Sequence, residues 1–246
     1  MPSKTTFQEE AEVVERMLAS RPLVRAANFH NTPRYREAEF EGQLKHWSQH
    51  FSSVNEHELD EYLQTGAWHK PKPGLIVGLY NGYRNTYDVM RPLLERYGFV
   101  GWYFVPTAFV STPAAEQASF VTTRTLKVIA NEYRDGRVAL DWRELRELDR
   151  NHVVACHTRN HSQIITQNIQ LLEGEVVGPQ RDFEAHLGHA VRSFASLSGA
   201  AYGENEVADR LIKAAKYQFV FSNLKIQRLC DVNASAYPFM RAHAKQ

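Results

Sequence analysis

The feature of this sequence that most constrains its fold is the alternation of short apolar runs with amphipathic segments from residue 75 onwards. The run Leu75-Ile76-Val77-Gly78-Leu79 is typical of a strand that is buried on both faces. The turn signal Asn81-Gly82 follows it, and then an amphipathic segment that ends at Gly98. Residues 100–105 predict the next strand, so this part of the chain has the order of a βαβ unit.

The same alternation continues towards the end of the chain and predicts helices over 142–148, 164–172 and 206–216 and strands over 153–156, 191–195 and 217–221. Alternation on this scale is typical of parallel strands with helices outside them, in a barrel or an open doubly wound sheet. Amphipathic helices are also predicted within 8–19, 40–51 and 56–63. We divide the chain into an N-terminal helical extension, residues 1–27, and one barrel domain, residues 28–246.

Composition excludes several classes of partner. The chain has 29 Lys and Arg against 28 Asp and Glu, so it lacks the basic excess that binding to nucleic acid requires. No apolar run approaches the ~18 residues that span a bilayer, and the first residues lack a secretory pattern, so we expect a cytoplasmic protein without a membrane partner. Cys156 and Cys230 are too few and too distant for a disulfide framework or a four-thiolate zinc site.

Polar motifs follow three of the predicted strands, at the ends where α/β proteins build their sites. They are Tyr80-Asn81-Gly82-Tyr83, His157-Thr158-Arg159-Asn160-His161 and Ser196-Leu197-Ser198-Gly199. Two imidazoles four residues apart can bind one divalent metal such as zinc, with a third ligand from another strand. The spacing also arises by chance in a chain with 11 histidines, so one surface and one capping histidine are the alternative.

The order of these motifs resembles the polysaccharide deacetylase family, also called the nodulation-deacetylase homology domain or carbohydrate esterase family 4, over roughly residues 28–230. Family members read Thr-Phe-Asp-Asp-Gly-Tyr, then Tyr, Pro-x-Leu, Gly and Phe-Phe-Val. The same frame here is Gly78-Leu79-Tyr80-Asn81-Gly82-Tyr83, Tyr87, Pro92-Leu93-Leu94, Gly98 and Tyr103-Phe104-Val105. Downstream, Trp142-Arg143-Glu144-Leu145 resembles the family's Trp-x-x-Leu helix, and His157 to His161 its His-Thr-x-x-His metal motif. The resemblance implies a single-domain, distorted or incomplete (β/α) barrel.

In that family the first Asp of Asp-Asp is the general base and the second is a metal ligand beside the two histidines. By position these residues become Tyr80 and Asn81. A phenol with a pKa near ~10 cannot accept a proton from water as a carboxylate does, and a neutral amide oxygen holds zinc less firmly. The resemblance therefore implies the metal ligands His157, His161 and Asn81, and a catalytic position, Tyr80, that has lost its base.

Further site residues rest on the same resemblance. His30 belongs to a lead-in similar to that of the exopolysaccharide branch and is a candidate general acid, since the family's Leu-x-His is missing near the C-terminus and the surroundings of His243 do not match. We expect Tyr83, Ser196 and Ser198 to bind substrate, although the serines stand where the family has an aromatic wall.

Two functions follow from these residues. The first is a metal-dependent hydrolase of an N-acetyl or other non-peptide C–N bond on a small carbohydrate-like or amide ligand, with its activity weakened or lost. The second is a catalytically inactive protein that binds such a ligand in the same cleft. An ordinary α/β protein with an unrelated ligand is a third interpretation, and it predicts that His157, His161 and Asn81 do not converge.

Overall fold

A computed structural model of the chain describes residues 23–229. Its strands are Val24–Phe29 (β1), Ser52–Ser53 (β2), Gly74–Tyr80 (β3), Gly101–Val105 (β4), Val153–Cys156 (β5), Ser193–Ala195 (β6), Phe219–Phe221 (β7) and Ile226–Arg228 (β8). They form one sheet in the order β1-β3-β4-β5-β6-β7-β8, and β2 pairs with the beginning of β3. Every pairing is parallel except that of β8 with β7. The predicted parallel sheet is thus confirmed.

Helices connect the strands. They are Glu37–His50 (α1), Glu56–Thr65 (α2), Arg91–Tyr97 (α3), Thr107–Ser111 (α4), Ala114–Thr123 (α5), Trp142–Leu148 (α6), Ile169–Val176 (α7), Gly178–Leu187 (α8) and Glu206–Ala214 (α9). The sequence sets several of their ends: a capping box of Asn55 and Glu58 begins α2, and Gly66, in the left-handed region at φ 70°, ends it. A second capping box, Asp141 with Glu144, begins α6.

The sheet separates two apolar layers. On its outer face, side chains such as Leu79, Tyr103 and Phe194 pack against the helices. On its inner face, the neighbouring positions Phe104 and Ala195 belong to a second buried layer, which accords with the alternation of side chains along a strand. The side chain of a residue that follows a strand therefore lies either inside the curl or behind the sheet. Which of the two applies depends on whether the residue is an even or an odd number of positions from an inward-facing one.

The curl of the sheet remains open, because within residues 23–229 no pairing joins β8 to β1. Helix α2 contacts both the end of the sheet and its middle. Asp60 on this helix accepts a hydrogen bond from Arg228 of β8 at 2.5 Å, and Glu56 accepts one from Ser193 of β6 at 2.6 Å. The fold is an incomplete (β/α) barrel, as predicted.

Several boundaries differ from those predicted. The helix predicted over 164–172 begins only at Ile169, because the side chain of Asn168 accepts hydrogen bonds from two backbone N–H groups of the first turn of α7. Strand β1, which begins at Val24, lies in a segment for which no strand was predicted. The helix predicted within 8–19, Cys230 and His243 lie outside the described residues. Among residues 23–229, no helix is long and apolar enough to cross a bilayer.

Candidate functional site

The three polar motifs meet at the carboxyl edge of the sheet, since β3, β4, β5 and β6 are consecutive neighbours. His157 directly follows β5 and is held from both adjacent strands. Its backbone N–H donates to the carbonyl of Val105 at 3.0 Å, and its Nδ1 lies 2.8 Å from the carbonyl of Ala195. A carbonyl only accepts, so Nδ1 carries the proton and Nε2 carries a lone pair.

His161 is brought beside His157 by a strained turn, and the two ring centroids lie 5.2 Å apart. Thr158 and His161 have φ values of 58° and 55°, in the left-handed region that β-branched Thr rarely adopts. The carboxylate of Glu175 stabilises this turn by accepting the backbone N–H groups of Arg159 and Asn160 at 3.1 and 2.9 Å.

Asn81 completes a group of three potential ligand atoms. Its Oδ1 lies 3.0 Å from Nε2 of His161. Its side chain is also hydrogen-bonded to the hydroxyl of Tyr83, which already accepts the backbone N–H of Lys127 at 3.0 Å. In this orientation the Asn81 amide donates to Tyr83 and directs its oxygen at His161, whereas the opposite orientation would accept from the Tyr83 hydroxyl and donate to His161.

When the Asn81 oxygen faces His161, a neutral His161 cannot satisfy both of its neighbours. Its Nδ1 lies 3.2 Å from the carbonyl of Arg124, while Nε2 faces the Asn81 oxygen, so either neutral tautomer leaves a lone pair against an acceptor. A second proton would resolve the conflict, but burial lowers the pKa of His161 and opposes it. A cation between Nε2 and Oδ1 would resolve it as well, so the donor atoms fit a metal ion.

The electrostatics of the two histidines agree with that fit. The pKa of His157 is lowered to about 3, mainly by burial and also by the neighbouring His161 and His30, and the hydrogen bond to the Ala195 carbonyl opposes this shift. Both imidazoles are therefore neutral at neutral pH, which is the form that binds metal. Residues 23–229 contain no group of three or more His, Cys, Asp or Glu side chains that could hold a metal. The ligand atoms present are two imidazole nitrogens and one amide oxygen.

Tyr80 occupies the place beside Asn81 as a flat ring in a stack. Its ring lies 4.6 Å from Phe104 at an interplanar angle of 11° and 5.5 Å from His30 at 27°. Its ring also meets His157 edge to face at 5.3 Å. Burial raises the pKa of Tyr80 far above its ordinary value, so the phenol stays protonated. The Tyr80 phenol therefore cannot act as a general base at neutral pH.

The remaining predicted residues divide between the cleft and the core. His30 is exposed at the cleft, where partial burial lowers its pKa. Ser198 is exposed as well, and its hydroxyl accepts Nε2–H of Gln163 at 2.8 Å. Tyr83 is only 3% exposed and packs against Phe109, so it supports the site from the core instead of lining the cleft.

Ser196 also lies away from the cleft. It is buried, donates to the carbonyl of Ala200 at 2.6 Å, and follows the inward-facing Ala195, so it lies behind the sheet. The predicted contact of Ser196 with substrate stays a prediction, and its side chain faces a cavity on the opposite side of the sheet from the histidines.

Sequence reasoning did not find three residues that shape the site. Arg124 contributes only a backbone carbonyl, which no side-chain pattern reveals. Glu175 lies in the part of α7 beyond the predicted helix, so nothing indicated that its carboxylate meets the histidine turn. Phe104 was predicted as part of a strand, and the run of apolar residues there did not indicate which of them contacts Tyr80.

Three solved structures share this architecture. Streptococcus pyogenes deacetylase PplD in complex with acetate matches with a TM-score of 0.61 and 15% identity over 84% of each chain. IcaB from Ammonifex degensii matches with a TM-score of 0.63 and 18% identity over 82% of this chain and 84% of IcaB. A polysaccharide deacetylase from Bacillus cereus matches with a TM-score of 0.55 and 16% identity over 83% of this chain and 58% of that protein. The chain has the polysaccharide-deacetylase fold. No protein-family model matches the sequence, and no curated protein does. At these identities the likeness concerns the fold alone.

Within the polysaccharide-deacetylase fold, the residues of the two sequence motifs do meet. Asn81 follows β3 and contacts His161, which in turn lies beside His157 after β5. The interpretation as an unrelated α/β protein predicted that these three residues would not converge, and the structure brings them together.

Proposed function

We propose that this chain is a divergent protein of the polysaccharide deacetylase type that binds a small carbohydrate-like or amide ligand in the cleft of His157 and His161. Its hydrolysis of an N-acetyl or other non-peptide C–N bond is weakened or lost. The observation that carries this proposal is Tyr80, whose buried, neutral phenol stands in the position of the family's base. Removal of a positioned base costs roughly 10²- to 10⁴-fold in rate.

We propose further that the cleft holds a divalent metal through Nε2 of His157, Nε2 of His161 and Oδ1 of Asn81. Zinc suits two imidazoles, and a bound zinc would polarise a ligand carbonyl. The donor set carries no negative charge, so we expect weaker binding than in a site with a carboxylate. The contacts of His161 with the Arg124 carbonyl and, at 3.0 Å, with the Asn81 oxygen, which one neutral imidazole cannot both satisfy, support this assignment.

The other groups at the cleft also favour low activity. The ring of Tyr80 lies flat between Phe104 and His30 and fills space where a carboxylate would otherwise reach the histidines. His30 has a lowered pKa and is neutral at neutral pH, which weighs against its predicted role as a general acid. These two residues favour the second candidate function, a catalytically inactive protein that binds its ligand in this cleft.

The test is metal analysis of the full chain after incubation with zinc and removal of free metal, together with acetate release from an acetylated glucosamine oligomer. We expect up to one zinc per chain, lost in His157→Ala/His161→Ala and retained in the matched variant His186→Ala/His189→Ala, which removes two histidines outside the cleft. Acetate release should be very low or absent. Equal zinc in all three proteins would contradict the metal site, and rapid acetate release without zinc would contradict the proposed mechanism.

A further inference from the structure

A second cavity lies behind the sheet, on the face of β6 opposite to the histidine cleft. Its volume is about 160 Å³. Its floor consists of the buried apolar side chains Phe194, Val220, Ala208 and Ile212, which belong to the outer layer between the sheet and α9. Its walls are formed by residues of two segments, namely 164, 165 and 167 of the first and 200–202, 204 and 205 of the second. Nothing in the proposed deacetylase chemistry uses this space.

The mouth of this cavity, which we call the outer cavity, is acidic. Asp209 and Glu204 both line it. Oδ2 of Asp209 accepts the backbone N–H of Gly203 at 3.0 Å, and within residues 23–229 no basic side chain forms an ion pair with either carboxylate. Burial raises the pKa of Asp209, with a contribution from the charges of Glu204 and Glu206. A cation at the mouth would relieve this concentration of negative charge.

An aromatic ring accompanies these carboxylates. Tyr202 lines the outer cavity together with Asp209. A carboxylate beside an aromatic ring is the pairing that binds organic ammonium groups, through charge and the ring quadrupole. A divalent inorganic cation would instead need six or so oxygen ligands, which the apolar floor does not offer.

We propose that the outer cavity binds a small organic cation with an apolar body, that is, an alkyl- or arylalkylammonium ion. The apolar body would lie on the floor formed by Phe194, Ala208 and Ile212, and the ammonium group would meet Asp209 and Tyr202. The volume is suited to such a ligand, since a cavity of about 150 Å³ holds one benzene ring. Ile165, which is 71% exposed, extends the apolar wall beyond the mouth.

The acidic residues also have a purely structural explanation. Glu206 and Asp209 lie in the first turn of α9, where carboxylates interact favourably with the positive end of the helix dipole. That explanation predicts a slightly less stable protein when Asp209 is neutralised and no effect on any ligand. The two explanations are therefore separable by a binding experiment with a charged probe and a neutral one of the same shape.

The probe is benzylamine and its neutral counterpart is benzyl alcohol, each titrated into the full chain and followed by two-dimensional NMR of the backbone amides. We expect saturable shifts from benzylamine in residues 164–167 and 200–209, and at least tenfold weaker binding of benzyl alcohol. Asp209→Asn, which keeps an oxygen that can accept the Gly203 N–H, should weaken the binding of benzylamine about tenfold and leave the affinity for benzyl alcohol unchanged. Ala208→Leu should fill the space above the cavity floor and abolish binding of both probes. If Ala208→Leu does not fold, Ala201→Leu, which fills the cavity from the loop side, takes its place.

Two results would overturn the proposal: equal binding of both probes to the wild-type chain, or full benzylamine affinity in folded Asp209→Asn. Absence of saturable shifts from benzylamine in the millimolar range would overturn it as well. The proposal is independent of the histidine cleft, so His157→Ala/His161→Ala should bind benzylamine like the wild-type chain. Loss of binding in that variant, or shifts confined to the cleft, would also contradict it.

Discussion

The two halves of the histidine cleft are built by different means. At the end of β5, His157 and His161 each place Nδ1 against a backbone carbonyl, that of Ala195 or of Arg124. At the end of β3, Tyr80 is held by ring contacts with Phe104 and His30. The first half depends on main-chain geometry, and the second depends on which side chains are present.

This difference explains how the proposed metal-binding arrangement keeps the orientation of its two histidines while the β3 half carries no carboxylate. Substitutions of Ala195 or Arg124 leave their carbonyl groups in place, so the orientation of both imidazoles tolerates many changes. A change from a carboxylate to a phenol at position 80 alters charge, volume and pKa at once. A catalytic group is thus easily lost from the β3 half. Four experiments can test this contrast between the two halves.

The largest expected effect comes from restoring acidity to the β3 half. Tyr80→Asp/Asn81→Asp should bind zinc more tightly and increase zinc-dependent acetate release from an acetylated glucosamine oligomer by roughly 10²- to 10⁴-fold, because it supplies a base and a charged ligand. Tyr80→Phe is the matched control and should resemble the wild-type chain in both assays. A double variant that binds no more zinc than the control would show that the histidine half is not a metal site.

The next effect tests the ring stack. Phe104 is fully buried and contacts both Tyr80 and Phe221, so Phe104→Ala should lower the free energy of unfolding by about 3–5 kcal/mol. Phe104→Leu keeps most of the volume and should cost less than about 1.5 kcal/mol. Chemical denaturation measures both values. Zinc binding to folded Phe104→Ala should persist if the halves are independent, and its loss would show that the stack also positions the histidines.

The third prediction concerns pH in the metal-free protein. The pKa of His157 is about 3 in the folded chain, against an ordinary value of 6.5, so between these values the unfolded state binds more protons than the folded one. Stability should therefore fall as the pH falls through this window, by up to about 1.4 kcal/mol per pH unit. His157→Gln should show a shallower dependence in denaturation series at several pH values. Identical slopes would mean that the buried imidazole does not contribute.

The smallest expected effect is on stability, and it separates the contribution of the backbone conformation at Asn81 from that of its side chain. Asn81 has a φ of 73°, in the left-handed region. Asn81→Gly and Asn81→Ala both remove the contacts with His161 and Tyr83, but only glycine adopts this conformation without strain. The alanine variant should therefore be less stable by about 1 kcal/mol. Equal stabilities in thermal unfolding would indicate that the loop relaxes and that Asn81 is not fixed by the main chain.

The sequence predicted most of the fold because its parallel strands are nearly continuous apolar runs, as at 75–79 and 153–156, and its clearest helices are amphipathic. It did not reveal β1, whose burial alternates at the edge of the sheet. Within the site, the sequence directly predicted that the motif at His157 and the residue Asn81 would lie together. The placement of Ser196 could not be predicted, because the face on which a residue lies depends on where its strand begins and ends.

The anchoring of both imidazoles by main-chain carbonyls has a consequence for protein engineering. A histidine pair held in this way is oriented by the main chain, so the surrounding walls can be redesigned without rebuilding its orientation. The carbonyl of Ala195 and the side chain of Ser196 are adjacent along the chain, yet they serve opposite faces of β6. One short strand end therefore offers two independently tunable compartments, so that substitutions behind the sheet can be made without altering the chemistry installed in front of it.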